Sequence, residues 1–188
     1  MSGDPYTYPH SPVLRNKLGI IDAAELDRAE RRLAAQRIVE GIPTGDFDLN
    51  HLKAIHQHLF QDVYDWAGEI RFVELNKSGQ QFQFCRFIET GMADVRQRLS
   101  GAKFLRGRGR VEFSDAAARI MGDVNYVHPF REGNGRAQLF YLGQLAEQAG
   151  HPLDLTRIVP ARWTEASRRS HEGDYAAMAE DIGRACED

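Results

Sequence analysis

Only one short stretch of this chain alternates in the manner of a β-strand, and that scarcity removes most architectures from consideration. The segments "EIRFVEL" and "QFQF" flank the turn-rich "NKSGQ", which predicts a hairpin over about residues 69–84. A lone hairpin is marginal in water, so it must lean on helices. Parallel α/β architecture needs several strands, and the sequence does not contain them.

The remainder reads at helical period. "DAAELDRAERRLAAQRIVEG" opens with Asp22 and Glu25 in capping-box spacing, and puts Leu26, Ala29 and Leu33 on one face. "DLNHLKAIHQHLFQDVY" repeats Leu52, Ile55, Leu59 and Val63 behind a cap at Asp48, and Gly68 should break it. Residues 86–105 are predicted helical and run into a basic, glycine-punctuated connection. "FSDAAARIMGDVNYV" stripes Phe113, Ala116, Ala117, Ile120, Val124 and Val127 behind a predicted cap at Ser114. "NGRAQLFYLGQLAEQAG" is apolar on several sides, which predicts a central, buried helix ending at Gly150. Two more helices are expected, from Pro160 and from near Asp174, and residues 1–20, rich in proline and tyrosine, read as an extended arm. The expectation is an all-α bundle of about seven helices carrying one hairpin, as a single domain over 1–188.

Composition narrows the function. A net charge of −3 argues against a general nucleic-acid coat. The run Arg96, Arg98, Lys103, Arg106, Arg108, Arg110 lacks interleaved aromatics and reads as a solvated face. No apolar stretch approaches the ~20 residues of a membrane span, and no secretory signal is visible. Cys85 and Cys186 lie far apart, so a reducing cytoplasm is expected. His51, His56 and His58 stand five and two apart, spacings that do not converge on a metal. Trp66 and Trp163 read as packing residues.

Chemistry concentrates in "HPFREGNGR", residues 128–136, between two predicted helices. Gly133 and Gly135 let several backbone N–H groups converge, and the start of the next helix adds unpaired N–H groups and a positive dipole end. Such a loop is an anion seat. Arg136 adds a charge-assisted donor, and Glu132 beside phosphate calls for a cation between them, for which Mg²⁺ is suited. His128 supplies a base of near-neutral ordinary pKa. Phe130 is expected to anchor the loop in the core. A P-loop motif does not occur, and the dinucleotide fingerprint fails at Gln138.

These residues resemble the Fic signature H-x-F-x-[DE]-G-N-G-R-x-x-R, matching every specified position through Arg136. "YTYPHSPVLRNKLGI", "HLKAIHQHLFQDVYDWAGEIR" and "NKSG" are similar to bacterial Fic proteins that act as toxins or effector domains. The resemblance implies a helical Fic fold and transfer of AMP from ATP to a Ser, Thr or Tyr hydroxyl of a target protein. It implies His128 as general base and Glu132 as the Mg²⁺ ligand. Phe130, Arg131, Gly133, Asn134, Gly135 and Arg136 are then the nucleotide-binding residues, and Lys77, Ser78 and Gly79 the flap that docks the target.

Leu139 stands where that signature has its second arginine, which holds the γ-phosphate. The departure leaves open transfer of another phosphate-containing group, and a binding module with weakened catalysis. No glutamate here has Ser or Thr four residues before it, so the inhibitory [ST]-x-x-x-E-[GN] helix is missing. The resemblance is to the class inhibited in trans by a small helical antitoxin that supplies a glutamate.

Overall fold

The computed structural model describes residues 4–77 and 79–187. Among them the order is α1 (Ala23–Val39), α2 (Leu49–Phe60), β1 (Asn76–Lys77), β2 (Gln80–Gln81), α3 (Ile88–Gly101), α4 (Arg110–Val127), α5 (Asn134–Ala149), α6 (Pro160–Ser170) and α7 (Ala176–Ala185). Seven α-helices with a two-stranded antiparallel sheet make an all-α protein, as the periodicity predicts. No helix among the described residues is long and apolar enough to cross a membrane.

The caps explain where several helices start. Asp22 Oδ1 accepts from the Glu25 N–H, and Asp48 Oδ1 from the His51 N–H, each at 2.8 Å. Ser114 is not a cap. α4 begins four residues earlier, after Gly109, because "RVEF" continues the helix; the Ser114 hydroxyl donates back to the Arg110 carbonyl at 2.8 Å. α2 stops at Phe60, short of the predicted end, and passes into turns.

α5 is the central helix, packed against α2 and α4, and α4 in turn meets α3, α6 and α7. Phe113, Ala117, Val124, Ala137, Tyr141, Leu142 and Leu145 are fully buried at these contacts. Each large apolar side chain so buried contributes ~1.5–3 kcal/mol before entropy is counted. The N-terminal arm folds back on itself, with Thr7 bridged to Leu14, and Tyr6, Val13 and Leu14 are buried against the body.

The hairpin is narrower than the sequence suggests. Strand pairing is confined to Asn76↔Gln81 and Lys77↔Gln80, with one further bond from the Phe82 N–H to the Leu75 carbonyl at 3.1 Å. Gly79 takes φ 82° at the turn and donates to Asn76 Oδ1 at 3.1 Å. Gln80 Nε2 donates to the Arg168 carbonyl of α6 at 3.2 Å, and the Gln83 N–H to the Tyr126 carbonyl of α4 at 3.0 Å. Ser78 lies outside the described residues.

Candidate active site

α4 ends at His128, which adopts a left-handed backbone (φ 45°, ψ 63°) that non-glycine residues rarely hold. This twist turns the chain out of the helix and aims the imidazole back at it. His128 Nδ1 lies 3.1 Å from the Asn125 carbonyl, which can only accept, so Nδ1 carries the proton and Nε2 the free lone pair. The Phe82 ring, just after β2, stacks on the imidazole at 3.8 Å between centroids. Burial pushes the His128 pKa down to about 3, with the nearby charges of Arg71, Lys77 and His171 acting the same way. The ring is therefore neutral at physiological pH.

The loop after His128 is braced from both sides. The Asn134 side chain spans it, accepting from the Phe130 N–H at 3.0 Å and donating to the Phe130 carbonyl at 2.8 Å. Phe130 is fully buried with its ring on His56 at 3.9 Å, so it is corrected from nucleotide contact to core anchor. The Gly68 N–H donates to His56 Nδ1, which leaves Nε2 to donate to the Glu132 carbonyl; both distances are 2.9 Å. Gly133 (φ 80°) sits so close to Phe60 that a Cβ would come within 2.5 Å of the ring.

α5 starts immediately after Gly133, and the N–H groups of its first turn have no intrahelical acceptors. They open onto a cavity of about 880 Å³ that includes His128, Glu132 and Arg136. Its far wall is α6, through Trp163, with His171 just beyond the helix end, and its near wall is α1 and the arm. Arg131 turns away to Asp4, donating through Nε at 2.8 Å and Nη2 at 2.6 Å. Arg136 lies over the Phe60 ring at 4.5 Å and pairs with Glu30 of α1, whose other oxygen accepts from Tyr64. The Glu132 carboxylate is exposed and accepts the Gly133 N–H at 2.9 Å. Among the described residues no three His, Cys, Asp or Glu form a metal-holding group. One free carboxylate beside an anion seat fits Mg²⁺ carried in with phosphates, which takes one or two carboxylates.

Four contributors escaped the sequence. Arg71 is wholly buried and donates to the carbonyls of His128 (2.7 Å), Val73 (2.8 Å), Gln83 (2.5 Å) and Val127 (3.4 Å). It ties the base of the hairpin to the end of α4. His56, Phe82 and Glu30 are the others. His51 and His58 go elsewhere, to Gln144 and to the Arg37 carbonyl, as their spacing required.

The Fic/DOC family model matches residues 46–146, more than half of the chain. The chain belongs to the Fic/DOC family. This Fic chain is 39% identical over 182 residues to the probable protein adenylyltransferase y4lH of Sinorhizobium fredii, covering 96% of the chain and 95% of that relative. It is 42% identical over 186 residues to protein adenylyltransferase VbhT of Bartonella schoenbuchensis, covering 97% of the chain but 39% of VbhT. The solved structure of BepC, a VirB-translocated effector protein of Bartonella tribocorum with bound AMPPNP, superposes with a TM-score of 0.87 at 25% identity. That match covers 97% of this Fic chain and 96% of BepC.

Proposed function

We propose that this Fic chain is a protein adenylyltransferase that moves AMP from ATP to a Ser, Thr or Tyr hydroxyl of a target protein. The carrying observation is the neutral imidazole of His128, with Nε2 unprotonated, at the edge of a cavity whose floor is the α5 N-terminus. The names of y4lH and VbhT, and the AMPPNP bound in BepC, support the same activity and donor.

His128 Nε2 takes the proton of the target hydroxyl as its oxygen bonds to the α-phosphorus. The bond from that phosphorus to the β-phosphate oxygen breaks, and pyrophosphate leaves. A bound triphosphate is an anion beside the ring and raises its proton affinity from the low resting value, which suits a base. The first N–H groups of α5 and Arg136 receive charge on the phosphates. Glu132 would hold Mg²⁺, which neutralises phosphate charge when bound. The whole chain works as one Fic domain, and β1 and β2, with Lys77 and Gly79, dock the target segment by strand-like pairing.

ATP as donor fits action in the cytoplasm. A small helical antitoxin is proposed to inhibit the enzyme by placing a glutamate in the cavity.

The test is transfer of α-labelled ATP onto cellular protein by wild type and His128→Ala. Loss of the base should lower labelling by ~10²–10⁴. Equal labelling would remove His128 from the role, and label from the γ-phosphate would identify phosphorylation instead.

A further inference from the structure

Five cations line the cavity: Arg31, Lys77, Arg131, Arg136 and Arg168. Each arginine is already answered by an acid of the same chain. Arg31 pairs with Asp27, Arg131 with Asp4, Arg136 with Glu30, and Arg168 with Glu165 and Glu172. Lys77 makes no such pair among the described residues, and it is exposed on β1. Its charge reaches the catalytic end of the cavity, since it is among the causes that disfavour protonation of His128.

The opposite wall makes this lysine consequential. Residues 136 and 139 lie three apart on α5 and so share a face, and both line the cavity. Leu139 presents hydrocarbon there. A magnesium triphosphate is still a net anion, and a site that excludes water must answer that charge with fixed donors. Drawing Arg136 wholly away from the buried Glu30 leaves that acid uncompensated, so Arg136 can only share its charge, and the exposed pairs of Arg31 and Arg168 are weak ones; recruiting Lys77 breaks no pair at all. A lysine also carries three donors on a flexible four-carbon stem. The register supports the reach, because Lys77 sits opposite Gln80, and Gln80 is fastened to α6 across the mouth of the cavity at 3.2 Å.

On the adenylyltransferase reading above, we infer that Lys77 is a nucleotide-binding residue, reaching from β1 to the distal phosphates and supplying the cation that Leu139 withholds. The hairpin then serves two ligands: one strand contributes a charge to the nucleotide while the edge accepts the target. A flap seated on phosphate is a better-ordered template for the target strand, so nucleotide binding strengthens target docking.

Calorimetric titration with Mg²⁺–AMPPNP and with AMP tests this on wild type, Lys77→Met, Leu139→Arg and the double variant. Lys77→Met should weaken AMPPNP ~10–100-fold and AMP by less than ~3-fold, as befits one charge-assisted contact to the outer phosphates. Leu139→Arg should restore AMPPNP binding in the Lys77→Met background to within ~3-fold of wild type. If wild type binds AMPPNP and Lys77→Met binds it equally well, or if Lys77→Met raises only the KM for the target, Lys77 belongs to target docking and the inference falls. If wild type binds no magnesium nucleotide, the adenylyltransferase reading falls with it.

Discussion

Phe82 lies flat on His128, with ring centroids 3.8 Å apart and planes 18° from parallel. A residue of the flap therefore controls how much water reaches the base.

Removing that cover should change the titration of the imidazole. Phe82→Ala admits solvent, and desolvation is the leading cause of the low His128 pKa. We expect His128 to move from about 3 toward its ordinary value of 6.5, by at least ~1 unit. Imidazole proton shifts followed by NMR against pH would show it; an unmoved titration would mean the cover is not what keeps the ring dry.

Gly133 should tolerate no side chain. Its φ of 80° is strained for alanine, and a Cβ would meet Phe60 at 2.5 Å. Gly133→Ala is expected to cost roughly 2–4 kcal/mol and to cut AMP transfer at least ~100-fold by displacing the start of α5. Denaturant unfolding beside labelled-ATP transfer would check both, and wild-type values in either would contradict the close packing.

Arg71→Met should loosen the hairpin base. The change takes the buried donor from the carbonyls of His128, Gln83 and Val127, while the Val73 carbonyl keeps the Cys85 thiol at 3.1 Å. At ~1 kcal/mol or more per stranded group, the loss should be ~3–5 kcal/mol, lowering Tm by roughly 6–20 °C. Calorimetry reads this directly. A Tm within ~2 °C of wild type would show that these bonds carry little.

His56 links stability to acidity. Burial holds its pKa near 4 against an ordinary 6.5, so the unfolded chain binds the proton more readily. Stability from this group is whole above about pH 6.5 and is lost as pH falls toward about 4, by ~3 kcal/mol. His56→Gln keeps a donor and an acceptor but cannot titrate. Urea midpoints at pH 7, 5.5 and 4 should fall less steeply in the variant, and identical slopes would reassign the effect.

What the sequence disclosed follows how local each interaction is. Asp22 and Asp48 cap helices three residues away, and the glycines and charges of residues 128–136 act within one loop, so adjacency in the chain was enough. Arg71 serves acceptors up to 57 residues distant, and Glu30 meets Arg136 across 106. Nothing in "GEIRFVE" distinguishes a wholly buried arginine from a solvated one. The Ser114 expectation failed for the opposite reason: its local pattern was sound, but "RVEF" ahead of it is equally willing to be helix.

α6 supplies the far wall of the cavity and the anchor for the flap, yet it lies beyond the signature loop in the chain. A ribosome making this chain thus completes the loop before the chamber that makes it useful. Until residues 160–171 emerge and dock, the nascent chain holds its base and its glycines with no enclosed place for a nucleotide.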